Sequence, residues 1–350
     1  MEKALRQRDS LSEGFKRSIK MLEFGGMSHE KYTSYNGIYS IDHQIEVPLD
    51  YDSPSEAKIS VFAREVGSLE DRSKNLPCLL YLQGGPGFES PRPFFLSSGL
   101  TEALKHYRLI LLDQRGTGLS QPITPHSLKL ISGPEAQARY LSNFRADNIV
   151  RDAEELRCKL IGDQKWSILG QSYGGFCSFT YLSFFPDSLR EVFVTGGVPP
   201  IGQNIDEVYR YCSKKLKEKT KEYFSLYPED LEKYSQILKY LEEKDLRSSC
   251  NSKLSARRLK GIGLLLGFER GFPLVHHLLE ELWLDFKSGR ELHRRFLHDF
   301  AAASPTFERN PIYALLHESI YCEGSCSDWA AARVIEDDNE QPAFISGNKT

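Results

Sequence analysis

A serine set between two glycines, directly after an apolar run, is the feature that most constrains this sequence. Residues 166–169 read Trp-Ser-Ile-Leu, and residues 170–174 continue as Gly-Gln-Ser-Tyr-Gly. The apolar run predicts a buried strand, and the glycines permit a sharp turn into a helix because they have no Cβ to obstruct it. Such a strand, turn and helix would present the Ser172 hydroxyl as a nucleophile. They would also place the N–H of Tyr173 at the helix start, facing the negative charge that develops on a substrate.

A second glycine-rich loop follows an earlier apolar run. Residues 79–82 read Leu-Leu-Tyr-Leu, and residues 83–87 read Gln-Gly-Gly-Pro-Gly. Consecutive glycines let a backbone approach a substrate carbonyl closely, so we expect an N–H from Gly84 or Gly85 to complete an oxyanion hole with Tyr173. The alternative is a tight turn that needs glycine for its backbone conformation alone.

Short apolar runs alternate with helical segments through the first 200 residues. This alternation is typical of an α/β fold, in which parallel strands are covered on both faces by helices. Residues 37–66 instead predict antiparallel strands before that sheet. The parallel strands are predicted at residues 78–82, 109–112, 166–169 and 192–195, and helices at 147–161 and 174–185.

The alternation stops after residue 203. From there the sequence is rich in Lys, Glu, Leu and Tyr at helical spacing, which predicts an inserted helical cap. The expected organisation is an N-terminal extension at residues 1–36, a core at 37–203, a helical cap at 204–332 and a tail at 333–350.

Composition argues against several functional classes. The 350 residues carry 45 Lys and Arg against 48 Asp and Glu, a formal net charge of −3, so the excess of positive charge that nucleic acids attract is missing. Seven scattered cysteines do not resemble a disulfide framework. No apolar stretch approaches the roughly 20 residues that span a bilayer. We expect no nucleic-acid or membrane partner and a cytoplasmic protein, and leave open a longer, organelle-targeted precursor.

A third loop, residues 113–120, reads Asp-Gln-Arg-Gly-Thr-Gly-Leu-Ser. We expect Asp113 and Arg115 to pair with each other and organise this loop, without a chemical role. The three loops in this order resemble the proline iminopeptidase (prolyl aminopeptidase) family of α/β-hydrolases. The similarity runs from about residue 39 to residue 200 and continues more loosely to about residue 326. Family members typically have His where Gln83 stands and Gly-Ser-Trp where residues 171–173 read Gln-Ser-Tyr.

The resemblance implies an α/β-hydrolase fold with a mostly parallel sheet, an inserted helical cap, and a serine aminopeptidase that acts on peptides with an amino-terminal proline or another small residue. It implies no metal and no organic cofactor. Such a substrate needs a carboxylate for its ammonium group and an apolar pocket for its ring. By similarity to the family's cap motif, Glu318 is the candidate anchor, with Glu323 second; an exposed carboxylate without a ligand is the alternative reading of either.

The resemblance also places a catalytic aspartate and histidine after the cap, whereas the last histidine here is His317. We therefore expect the fold to lack its last strands, this form to be incomplete and weakly active or inactive, and residues 192–195 to form an exposed sheet edge. Two other functions stay open, a capped esterase or lipid hydrolase and a catalytically silent interaction protein. The oligomeric state is open too.

Overall fold

The structure, a computed structural model, describes residues 32–248, 251–303 and 310–336. Most of the expected N-terminal extension, and the tail from residue 337, lie outside the described residues. The chain divides into two compact units, Met1–Pro199 with Phe307–Ile320, and Pro200–Thr306 with Tyr321–Thr350. Among the described residues, no helix combines the length and apolarity needed to cross a bilayer.

The secondary structure alternates in the first unit and is mainly helical in the second. The strands are β1 Tyr32–Tyr35, β2 Ile38–Pro48, β3 Lys58–Ser68, β4 Cys78–Leu82, β5 Arg108–Asp113, β6 Trp166–Gln171, β7 Leu189–Thr195, β8 Leu246–Arg247, β9 Lys253–Leu254, β10 Trp283–Phe286 and β11 Gly289–Leu292. The α-helices are α1 Ser98–Ala103, α2 Pro125–Lys129, α3 Pro134–Leu141, α4 Ala146–Ile161, α5 Tyr173–Phe184, α6 Ile205–Leu226, α7 Asp230–Glu243, α8 Ala256–Lys260, α9 Gly271–Glu280, α10 Arg294–Ala303, α11 Pro311–Leu316 and α12 Ala330–Glu336. Short 3-10 helices occur at Pro93–Phe95, Pro186–Ser188, Gly261–Gly267 and Glu318–Tyr321.

The first unit is built on a seven-stranded sheet in the order β1-β2-β3-β5-β4-β6-β7. Strands β4, β5, β6 and β7 run parallel to one another. Strands β1, β2 and β3 pair antiparallel, and β3 joins β5 antiparallel. All five residues of β4 are buried, as expected for a central strand covered on both faces. The predicted α/β fold is confirmed, and β7 lies at an edge of the described sheet.

Helix α4 packs in the main core of this unit because its apolar residues recur at helical spacing. Ile149, Val150, Ala153 and Leu156 of α4 are buried in the main core of this unit, and Gly162 ends the helix in a left-handed conformation with φ 61°. Trp166 of β6 lies in the same core. The packing fixes the carboxyl ends of β4 and β6, where the two glycine-rich loops begin.

The second unit has its own apolar core, between helices α6 to α10. This unit is helical, as its sequence pattern predicted. One segment of the predicted cap, which was expected at residues 204–332, does not belong to this unit. Residues 307–320 group with the sheet-containing unit instead. Ile312, Leu316 and Ile320 account for this, since they pack in or against the main core of the first unit. Apolar spacing alone could not show which core they would join.

Candidate active site

Ser172 occupies the turn between the end of β6 and the start of α5. Its backbone has φ 80° and ψ −112°, a conformation that costs a non-glycine residue about 1–3 kcal/mol. Two backbone hydrogen bonds hold it: the N–H of Ser172 donates to the carbonyl of Thr195 at 3.0 Å, and the N–H of Gly175 donates to the carbonyl of Ser172 at 2.9 Å. The strand-to-helix turn read from the sequence is present.

Two glycines let neighbouring backbones reach this turn. A Cβ on Gly174 would overlap the carbonyl oxygen of Leu82, at the end of β4. A Cβ on Gly197 would overlap the carbonyl oxygen of Ser172 itself. Both positions exclude every other amino acid on packing grounds, and together they enclose the serine between the ends of β4, β6 and β7.

The glycine-rich loop lies directly beside the serine. A Cβ on Gly84 would stand 3.0 Å from the Cβ of Ser172. The N–H of Gly84 donates to Oε1 of Gln83 at 3.1 Å, and that oxygen also accepts a hydrogen bond from the hydroxyl of Tyr81 at 2.8 Å. Among the hydrogen bonds of the described residues, the N–H of Gly85 has no acceptor. Gln83 thus braces the loop, and Gly85 is the member of the glycine pair with an available donor.

Tyr173 supplies the other candidate donor. As the first residue of α5, its N–H has no partner within the helix. Its side chain is buried in the main core, near Phe176 and Cys177, and burial raises the pKa of its phenol well above the usual range. The side chain therefore anchors the start of the helix, while the backbone amide is left to meet a substrate.

The expected pairing of Asp113 with Arg115 is wrong. Asp113 accepts from Arg92, whose Nη1 lies 3.1 Å from Oδ2, while Arg115 forms a buried ion pair with Asp152 on α4. Both charged groups are buried and therefore need a charged partner. For each of them, the partner comes from a segment that the fold packs beside the loop. Sequence proximity was a poor guide to pairing here. That the loop has no chemical role stays a prediction.

Residues 310–320 pack against the glycine-rich loop. Nδ2 of Asn310 donates to the carbonyl of Pro86 at 3.5 Å, and a Cβ on Gly87 would overlap Oδ1 of Asn310. The Asn310 side chain also accepts from the N–H of Tyr313 at 3.1 Å and so caps α11. One residue therefore joins the loop to the segment that carries the candidate carboxylate.

An aromatic row leads from the loop to that carboxylate. The ring centroids of Phe88 and Tyr313 lie 5.6 Å apart, and those of Tyr313 and His317 lie 4.7 Å apart. Burial lowers the pKa of His317 to about 4, so its imidazole is neutral near pH 7. Glu318 follows directly and is only 4% exposed. Glu318 is thus a buried carboxylate that follows the last ring of this row in the chain.

The comparisons with known proteins agree with this geometry. Residues 77–260 match the family model for the alpha/beta hydrolase fold. Over 309 residues the chain is 44% identical to a proline iminopeptidase from Aeromonas sobria, a match that covers 88% of this chain and 71% of that relative. The chain belongs to the proline iminopeptidase family. It is also 35% identical over 317 residues to a proline iminopeptidase from Aspergillus aculeatus, covering 86% of this chain and 69% of the relative.

A more distant relative shares only part of the chain. A tripeptidyl aminopeptidase from Streptomyces coelicolor is 28% identical over 188 residues, which is 45% of this chain and 35% of the relative. The family resemblance read from the three loops is confirmed. For this member of the proline iminopeptidase family, the structure brings Ser172, Tyr173, Gly84, Gly85 and Glu318 into one unit.

Other candidates lie elsewhere. Glu323 is exposed and belongs to the helical unit, so its role stays a prediction. Within the described residues, no side chain hydrogen-bonds the Ser172 hydroxyl. The sequence did not identify Asn310 and Tyr313 as neighbours of the candidate site in this proline iminopeptidase family member. The Asn-Pro pair at 310–311 was an available signal, since it is typical of a helix start.

Proposed function

We propose that this chain is a serine aminopeptidase that releases an amino-terminal proline, or another small amino-terminal residue, from peptides. The strained backbone of Ser172, in contact with the Gly84 loop, carries this proposal. A serine hydroxyl beside backbone N–H donors, at the carboxyl ends of two adjacent parallel strands, is an arrangement suited to acyl transfer, and the close approach of Gly84 to Ser172 supports it. Membership of the proline iminopeptidase family supports the same reaction class.

In the proposed reaction, Oγ of Ser172 attacks the scissile carbonyl and its proton passes to a general base. The family resemblance gives this role to a histidine after the cap, and no described side chain hydrogen-bonds the hydroxyl to fill it. Charge develops on the carbonyl oxygen, which accepts hydrogen bonds from the N–H groups of Tyr173 and Gly85. The base then donates the proton to the amide nitrogen, and the intermediate collapses to an acyl-enzyme as the shortened peptide leaves as an amine. Water hydrolyses the ester and frees the amino acid.

Glu318 gives the proposed specificity for a free amino terminus. The secondary ammonium of proline pairs with this carboxylate, and the pyrrolidine ring lies against the aromatic row of Phe88, Tyr313 and His317. A neutral His317 suits this position because a second positive charge would repel the ammonium group.

A fluorophosphonate probe and two substrates test the proposal. The purified chain is treated with the probe, digested and mapped by mass spectrometry, and hydrolysis of a proline arylamide is compared with that of a short acyl ester. We expect the adduct on Ser172 and weak turnover, as the missing aspartate and histidine imply, with the arylamide preferred over the ester. Ser172→Ala abolishes both signals, whereas Ser183→Ala, on the exposed side of the same helix, changes neither.

Each alternative gives a different result. Labelling of Ser172 with hydrolysis of the ester alone would identify an esterase. Neither labelling nor turnover would contradict the proposed enzyme and favour a catalytically silent interaction protein.

A further inference from the structure

A second group of ionisable side chains lies in the helical unit, outside the candidate active site. Helix α9 carries His276, His277 and Glu280, and Glu229 and Asp230 stand at the start of α7. One ligand atom from each of the three α9 residues lies within 4.8 Å of the others, and the same holds for the trio of His276, Glu229 and Asp230. The two trios share His276, so they form a single cluster.

Asp230 is the unusual member of this cluster because it is completely buried. Its Oδ2 accepts a hydrogen bond from the hydroxyl of Tyr223 at 2.5 Å and lies 2.9 Å from Nδ1 of His276. Among the described residues, its Oδ1 has no hydrogen-bond partner, although Nζ of Lys233 approaches to 3.5 Å. Burying a carboxylate oxygen without a hydrogen bond is costly, so the position favours a neighbouring positive charge.

The imidazole of His276 is held in a fixed orientation. It stacks on the ring of Tyr227 with centroids 4.1 Å apart and 15° between the planes. Because Asp230 engages Nδ1, the proton stays on that nitrogen and the lone pair on Nε2 is available. Histidines that bind metals usually donate their other ring N–H to a carboxylate, which orients the imidazole in this way.

The neighbouring residues complete a ligand set. The rings of His276 and His277 lie 5.3 Å apart, although adjacent helical side chains normally diverge. Nδ1 of His277 lies 2.9 Å from Oε2 of Glu280, which brings a second imidazole and a carboxylate together. Two imidazoles with one carboxylate suit Zn²⁺, whereas Ca²⁺ and Mg²⁺ prefer oxygen ligands alone.

We propose that this cluster binds a zinc ion through His276, His277 and Glu280. Asp230 orients His276, and Glu229 is an additional nearby carboxylate. All three ligands lie on α9, so the ion holds His276 in place for its hydrogen bond to Asp230, and this bond links α9 with the start of α7. This site differs from the sequence-based expectation of no metal, and it is independent of the proposed peptidase reaction.

Zinc titration of the full chain tests the proposal. After treatment with a chelator, tag-free protein is titrated with zinc sulfate against a chromophoric chelator, and we expect one ion per chain. His277→Ala and Glu280→Gln each weaken binding at least ~10-fold. Their side chains are 66% and 57% exposed, so neither change disturbs the core. His298→Ala is the matched control, since His298 is 80% exposed in the same unit and lies beside Asp299.

Two further measurements distinguish a specific zinc site from nonspecific binding of zinc to the protein surface. Asp230→Asn, which keeps the shape of the side chain, weakens zinc affinity by about 10–100-fold. Zinc raises the Tm of the unmodified chain and of the His298→Ala variant but not that of His277→Ala. A chain that binds no zinc, or whose His277→Ala and Glu280→Gln variants bind it as tightly as the parent, would overturn the proposal.

Discussion

Gly84 and Ser172 are in direct contact: a Cβ added to Gly84 would lie 3.0 Å from the Cβ of Ser172 and 2.8 Å from Oε1 of Gln171. The contact exists because β4 and β6 are parallel neighbours, so their carboxyl ends reach the same edge of the sheet. A side chain at position 84 would therefore crowd Ser172. The proposed oxyanion donors and the proposed nucleophile lie at the same edge of the sheet.

Gly84→Ala tests this contact. The added methyl group displaces the loop from Ser172, so we expect kcat/KM for a proline arylamide to fall about 100-fold, the cost typical of losing one oxyanion donor. Gly99→Ala is the matched control, because a Cβ there has no heavy atom within 4 Å. Equal activities of the two variants would show that the loop does not need this close approach.

Ser172→Gly tests the backbone strain at the turn. Glycine adopts φ 80° without strain, so we expect the free energy of unfolding to rise by about 1 kcal/mol while hydrolysis is lost. Ser183→Gly, in the last turn of α5 where φ is helical, should not raise the free energy of unfolding. Urea denaturation measures both. If Ser172→Gly is no more stable than the parent, the serine is not strained.

Glu318→Gln tests recognition of the substrate ammonium. Loss of a charged partner costs about 1.5–3 kcal/mol, so we expect kcat/KM for a proline arylamide to fall roughly 10–100-fold, with hydrolysis of a neutral acetyl ester unchanged. Glu323→Gln is the matched control, since Glu323 is exposed. A larger effect of the Glu323 change would reassign the anchor to that residue.

The low pKa of His317 predicts how the free energy of unfolding depends on pH. Burial lowers the pKa of His317 from 6.5 to about 4, so the unfolded chain binds more protons than the folded chain between those values. The free energy of unfolding should therefore fall as pH falls through this window, by about 3 kcal/mol from this group. His317→Gln removes that part of the slope, as urea denaturation at several pH values would show. His298→Gln leaves it intact, and a slope unchanged by both substitutions would rule out His317 as the source.

The sequence predicted the elements around the nucleophile well because their signals are local. The apolar runs at β4 and β6, and the glycines that follow them, specify strand, turn and helix within a few residues. The partners of Asp113 and Arg115 were predicted wrongly, since Arg92 and Asp152 come from distant segments. Pairing across such separations depends on which elements pack together, and no local pattern encodes it.

By itself, the sequence determined the α/β sheet, the serine turn and the family to which the chain belongs. Only the tertiary structure showed that residues 310–320 join the sheet-containing unit, where Asn310 contacts the glycine-rich loop and Glu318 is buried. It alone brought His276 to Asp230, 46 residues apart in the chain. Strands and turns follow from short-range sterics and apolar periodicity, whereas convergent side chains from distant segments depend on how a whole core packs.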